Sequence, residues 1–178
     1  MSDPRHIETA RLSLRPIDES DLAELAALMG DPEVGGLLQH GVLDAEATRR
    51  LLDGYRALWH EKGYGMFALR RREDGRFAGV CGLWDHHDGI GVATRVAIAP
   101  WAKGHGYAPE AGLAVLGFAF EALGLDTVWA VTRESNPDAQ RALGKMGWTL
   151  KLRYESDGKG LLRFNMTRAQ WLARGKPA

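Results

Sequence analysis

Apolar and polar positions first alternate at Arg11-Leu12-Ser13-Leu14-Arg15, a strand pattern that Pro16 stops. The period then lengthens. Asp18 offers an N-cap with Asp21 in the first turn, Leu22, Leu25 and Leu28 recur at helical spacing, and Gly30 ends the segment. A loop over 31–41 leads to a second predicted helix from Asp44, with Leu51, Tyr55, Leu58 and Trp59 on its apolar face and Gly63 as its stop. Strands follow over 66–71 and 76–84, joined by the turn Glu73-Asp74-Gly75. After the polar corner Asp85-His86-His87-Asp88-Gly89, a strand over 90–99 places Val92, Thr94, Val96 and Ile98 on one face. A glycine loop then opens a helix over 109–123, closed by Gly124. Residues 127–132 read as a strand, and Asn136-Pro137 as the cap and first position of a short helix ending at Gly147. Strands over 148–154 and 161–167, around the turn Ser156-Asp157-Gly158, close the pattern.

This succession predicts one mixed α/β (α+β) domain, 1–178 with a core of about 7–170, built on a largely antiparallel sheet flanked by helices. With 178 residues the chain can bury a core without covalent staples. No linker or repeat divides it, and the tail 173–178 is expected to fray. Composition narrows the function. Formal net charge is zero, which argues against a general nucleic-acid or membrane-surface binder. The polar first eight residues are not a signal peptide, and no apolar run approaches the roughly 18 residues of a membrane span. A cytoplasmic protein is expected. The single cysteine, Cys81, excludes an intrachain disulfide and a cysteine-cluster zinc site. It lies in an apolar run and reads as a buried thiol.

The chemistry concentrates at Lys103-Gly104-His105-Gly106-Tyr107-Ala108, between a strand and a helix. The first amides of a helix lack intrahelical partners, and the helix dipole adds positive charge there. Gly104 and Gly106 clear side chains from those amides, so the segment can hold a phosphate. The alternative, a tight turn without a ligand, stays open on the loop alone. Rossmann and Walker patterns both fail: the third glycine or alanine is missing, and no Lys-Ser or Lys-Thr follows Gly106.

Here the chain resembles the Gcn5-related N-acetyltransferases, whose Gln/Arg-x-x-Gly-x-Gly/Ala loop it matches with Lys103 in place of Gln or Arg. Lysine keeps the charge and loses the planar fork of donors. The opening Thr9-Ala10-Arg11-Leu12-Ser13-Leu14-Arg15-Pro16, Asp31-Pro32-Glu33-Val34 and Gly106-Tyr107-Ala108-Pro109-Glu110-Ala111 look like the branch that acetylates ribosomal-protein N-termini. So do Asn136-Pro137-Asp138-Ala139-Gln140-Arg141-Ala142-Leu143 and Met146-Gly147-Trp148.

The resemblance implies acetyl-coenzyme A as co-substrate, no metal, and a primary amine as acceptor, either a protein N-terminus or a small molecule. It implies that the strands at 90–99 and 127–132 splay around the pantetheine arm. Val96 and Ile98 would then offer backbone to that arm, Lys103, Gly104, His105, Gly106, Tyr107 and Ala108 would surround the pyrophosphate, and Asn136 would contact pantetheine. A plain helix cap is the alternative role for Asn136. The resemblance also implies a possible homodimer, and Trp59 and Tyr64 near the acceptor.

Proton transfer is less determined. Ala139 and Leu143 stand where the family has its Ser or Tyr acid, and 90–99 lacks the family's glutamate. His86 and Asp85 are the candidate bases, against a solvated corner or a metal site, the last disfavoured because adjacent residues point apart. Tyr154 is a candidate acid. Arg95 could read an acidic substrate group or simply extend to the sheet edge. A non-catalytic acyl-coenzyme A-binding domain is the competing reading.

Overall fold

In the computed structural model, which describes residues 3–174, eight strands form one sheet. They are β1 (Ile7–Glu8), β2 (Leu12–Pro16), β3 (Met66–Arg71), β4 (Phe77–Asp85), β5 (Val92–Ile98), β6 (Thr127–Arg133), β7 (Thr149–Ser156) and β8 (Lys159–Thr167). Their order is β1-β2-β3-β4-β5-β6-β8-β7. Neighbours run antiparallel except β5 and β6, which are parallel because a helix carries the chain back between them. The helices are α1 (Leu22–Gly30), α2 (Pro32–Gly35), α3 (Ala45–Lys62), α4 (Tyr107–Gly117), α5 (Pro137–Lys145) and α6 (Arg168–Ala173). The expected mixed, largely antiparallel α/β domain is thus the observed one.

Several local expectations move. Within the expected loop 31–41, Pro32–Gly35 winds into one helical turn because Asp31 accepts the Glu33 N–H at 2.8 Å and Pro32 presets the first position. On α3 the buried positions are Thr48, Leu52, Tyr55 and Trp59, so the inward stripe is rotated from the expected one, and Leu51 and Leu58 lie at its margin. Strand β5 begins at Val92, since Gly91 still pairs with the corner through the His86 N–H. Helix α4 starts two residues before Pro109 and widens into a π-helical turn over Phe118–Ala122. At the far end α6 is capped reciprocally by Thr167 and Gln170 and buries Trp171. Of the tail expected to fray, Ala173 closes α6, and 175–178 lie outside the described residues.

The core lies between the sheet and its helices. Phe67 meets Trp59 and Phe118 edge to face, with Trp59–Phe67 centroids 4.9 Å apart, and the Trp59 Nε1–H donates to the Met66 carbonyl at 2.8 Å. Asp21 is fully buried, and its carboxylate is matched by Arg15 at 2.7 Å and Arg70 at 3.0 Å. Among the described residues no helix is long and apolar enough to cross a membrane.

Candidate active site

The parallel pair β5 and β6 is joined at a single register position, Ala93 opposite Trp129. Beyond it the strands diverge and leave a cleft. Which backbone groups face that cleft follows from the antiparallel alternation with β4. The Ala99 N–H donates to the Ala78 carbonyl at 2.8 Å, so Ala97 and Arg95 also turn their peptide groups toward β4. Val96 and Ile98 therefore turn theirs toward the cleft. Both line a cavity of about 560 Å3 that runs between β5, β6, the start of α4 and the start of α5.

At the mouth of the cleft stands the glycine loop. Gly104 and Gly106 have φ of +80° and +79°, a left-handed conformation that L side chains resist. A Cβ on Gly104 would meet nothing within 4 Å, so this glycine opens space. Gly106 forms the N-cap of α4 with no side chain capping it, and Pro109 contributes no N–H. The amides of Tyr107 and Ala108 are left as uncapped helix-start donors beside the cavity, a fit for a pyrophosphate. Lys103, Gly104, Gly106, Tyr107 and Ala108 all line the cavity. His105 does not. Its carbonyl accepts Arg11 at 2.6 Å, and its ring lies against Tyr107 with centroids 5.4 Å apart.

Sequence reasoning did not link that loop to the N-terminal motif, and the structure does. Arg11 Nε and Nη2 grip Glu110 Oε2 at 2.8 and 2.7 Å, while the Thr9 hydroxyl and the Arg11 N–H donate to Glu110 Oε1 at 2.6 and 2.8 Å. The guanidinium also lies 4.7 Å from the Tyr107 ring centroid. Burial alone would raise the Glu110 carboxyl, but the Thr9 and Arg11 hydrogen bonds hold it below the usual carboxylate range. This contribution is therefore present above the ordinary carboxylate pKa and lost as pH falls through the lower folded value. Arg11→Ala is expected to weaken coenzyme A binding about tenfold by freeing the loop. It should also lower the melting temperature by about 2–4 °C for roughly 1 kcal/mol lost, a modest figure because Arg11 is half exposed. Calorimetry and thermal unfolding at neutral pH check both, and unchanged values would deny the clamp any role.

On the opposite wall, α5 presents Asn136, Ala139 and Leu143 to the cavity. Asn136 Oδ1 accepts the Ala139 N–H at 3.2 Å, which makes it the helix cap, and the residue also lines the cavity. Ala139 and Leu143 offer no proton.

The three candidate acid–base residues separate. His86 is buried against the cavity. Its Nδ1 lies 2.7 Å from Asp88 Oδ1, and Asp88 Oδ2 is held by Arg163 at 2.7 Å. A proton on Nδ1 directed at Asp88 leaves Nε2 as a lone pair, and Nε2 is buried with no partner. Burial lowers the His86 pKa, and Asp88 opposes that shift only in part. Asp85 is turned to the other side, bound to Lys62 and to the Tyr64 hydroxyl at 2.5 Å, and does not line the cavity. Tyr154 is also away from it, its ring under Arg163 at 5.0 Å. Trp59 and Tyr64, expected near the acceptor, are occupied by the Met66 carbonyl and by Asp85, and Trp84 stands at the cavity instead. Among the described residues no group of three or more His, Cys, Asp or Glu is placed to hold a metal ion.

The fold and its cleft are those of an N-acetyltransferase. Residues 11–149 match the acetyltransferase (GNAT) domain, and the chain belongs to that family. It superposes on an acetyltransferase from Agrobacterium tumefaciens str. C58 with a TM-score of 0.80 and 27% identity, covering 93% of this chain and 95% of that one. An acetyltransferase of the GNAT family from Bacillus anthracis gives 0.78 at 18% identity, over 92% and 99% of the two chains. A spermidine N-acetyltransferase from Vibrio cholerae, solved in complex with CoA and spermine, gives 0.76 at 16% identity, again over 92% and 99%. The last two likenesses are of fold alone.

Proposed function

We propose that this chain acetylates a primary amine by direct transfer, with His86 as the general base. Bound in the cleft, acetyl-coenzyme A supplies the thioester carbonyl: the C–N bond to the amine forms, the C–S bond breaks, and coenzyme A leaves as its thiolate. The glycine loop and the amides of Tyr107 and Ala108 bind the pyrophosphate, and the cleft-facing peptides of Val96 and Ile98 orient the arm. The Ile98 N–H is our candidate donor to the carbonyl oxygen. His86 Nε2 accepts the proton that the amine nitrogen must lose, while Asp88 holds the ring in the needed tautomer. A thiol of ordinary pKa, about 8.5, departs without a protein acid, so Ala139 and Leu143 are compatible with turnover. Cys81 cannot serve as a nucleophile, because burial pushes its thiol up to about 12.

The observation carrying this reading is the His86 ring, buried where it lines the cavity, with Asp88 on its Nδ1 and no partner for its Nε2. The ribosomal-protein-type branch, which rests on the sequence motifs, and the cytoplasmic setting, which rests on the bulk composition, remain parts of the proposal. A homodimer would find an available face on the edge strand β7, where Leu150 and Leu152 are nearly half exposed. A non-catalytic acyl-coenzyme A-binding domain is the second reading, favoured by the two apolar residues in place of an acid. Thiol release from acetyl-coenzyme A over a panel of primary amines separates the two. Amine-dependent release is expected, and tight coenzyme A binding without any release would establish the binding module instead.

A further inference from the structure

The cavity wall carries two guanidinium groups that no carboxylate among the described residues pairs with. Arg95 on β5 lies 3.9 Å from the Trp84 ring centroid and donates from Nη1 to the Tyr55 hydroxyl at 3.0 Å. Arg133, at the end of β6, donates from Nη2 to the Leu38 carbonyl at 2.7 Å, and its Nε is buried without a partner. Both arginines line the same cavity, together with Leu38 of the segment between α2 and α3. Neither has a carboxylate within ion-pair distance among the described residues, whereas Arg11, Arg15, Arg70 and Arg163 all do. The one carboxylate on the cavity wall is Asp138, which is exposed and bound to Arg141. Partly buried guanidinium groups left unmatched are costly, and their planar forks suit a carboxylate.

Taking the transfer chemistry above as given, we infer that the acceptor is an amino-acid-like amine whose carboxylate is held by Arg95 and Arg133. A polyamine, by contrast, would bring further positive charge to a wall whose one carboxylate among the described residues, Asp138, is already bound to Arg141. Trp84 and Leu38 supply apolar surface for the body of the acceptor.

The test compares leucine and phenylalanine with leucinamide, phenylalaninamide and spermidine in the thiol-release assay. Removing the carboxylate lowers the amine pKa and leaves more of it neutral, so intrinsic reactivity favours the amides. The expected result is the reverse, with kcat/KM at least tenfold higher for the amino acids than for their amides or spermidine. Arg95→Gln and Arg133→Gln should each raise KM for the amino acids at least tenfold, while leaving the amides and coenzyme A affinity within twofold. Arg95→Lys, which keeps the charge and loses the fork, should fall between. Equal or better use of the amides or spermidine by the unaltered protein overturns the inference whatever the variants do. A loss of coenzyme A affinity in Arg133→Gln, with acceptor preference intact, would assign that arginine to the phosphates and overturn its role here. If no amine supports thiol release, the transfer reading fails on its own. Titration of phenylalanine into the coenzyme A-loaded protein then decides: binding that Arg95→Gln weakens tenfold upholds the carboxylate site, and absence of binding overturns it.

Discussion

Gly104→Glu is expected to abolish coenzyme A binding, with at least a hundredfold loss of affinity by calorimetry and no melting-temperature increase on adding coenzyme A. Two effects act together. The φ of +80° makes any L residue at 104 strained by roughly 1–2 kcal/mol. The larger effect is electrostatic. Since a Cβ at 104 meets no atom within 4 Å, the new side chain has room to enter the space beside the helix-start amides and place a carboxylate there. Gly104→Ala separates the terms, because it keeps the strain and adds no charge. Alanine should therefore destabilise the fold slightly and weaken binding by no more than about tenfold. If glutamate and alanine gave the same affinity, the anion cradle would be misplaced. Gly106 is a less clean probe, since a Cβ there comes within 3.3 Å of Arg11 Nη2 and would disturb the clamp as well.

That contrast indicates which parts of the molecule are readable from its residues. Local periodicity placed elements such as β2, β6, β8 and α3 because their buried positions recur regularly, and the glycine loop was legible because a strand, two glycines and a helix are consecutive. The short elements were not. Strand β1 has two residues and α2 four, too few for a period to register. The Arg11–Glu110 clamp joins residues 99 apart in sequence, so neither motif announces the other. The antiparallel alternation of β5 with β4 decided which β5 peptides face the cleft, and the expectation for Val96 and Ile98 came from family resemblance and not from spacing.

The polar corner 85–89 is the sharpest case. As a sequence it presents two carboxylates and two imidazoles, among which His86 is favoured only because an imidazole titrates near neutral pH. In the fold, Asp85 ends β4 and turns to Lys62 and Tyr64, while the turn brings Asp88 back to His86, where the Ile90 N–H and Arg163 steady its carboxylate. Burial alone would raise the Asp88 carboxyl, but these bonds and His86 hold it low, so it remains an anion at neutral pH. The role of Asp88 depends on Arg163, 75 residues away on β8, and no local signal carries that.

His86→Gln is accordingly expected to lower kcat by about 10²–10⁴, the usual range for removing a general base, while coenzyme A affinity stays within twofold. Glutamine approximates the volume of imidazole, which limits the disturbance to the buried corner. Asp88→Asn should cost less, about tenfold, because the imidazole survives but loses the partner that fixes its tautomer. The pH dependence separates catalysis from packing. Burial lowers the His86 pKa, so the base stays neutral through the physiological range and the acid limb of kcat falls below about pH 6.5. Asp88 favours the protonated ring, so its removal should move that limb to still lower pH even as the plateau drops. In His86→Gln the limb should vanish. These profiles are measured at saturating amine and acetyl-coenzyme A, so that the amine's own ionisation enters as little as possible. If His86→Gln kept the wild-type acid limb, the proton would be leaving by another group. Asp88 would then be only a structural brace between β4 and β8.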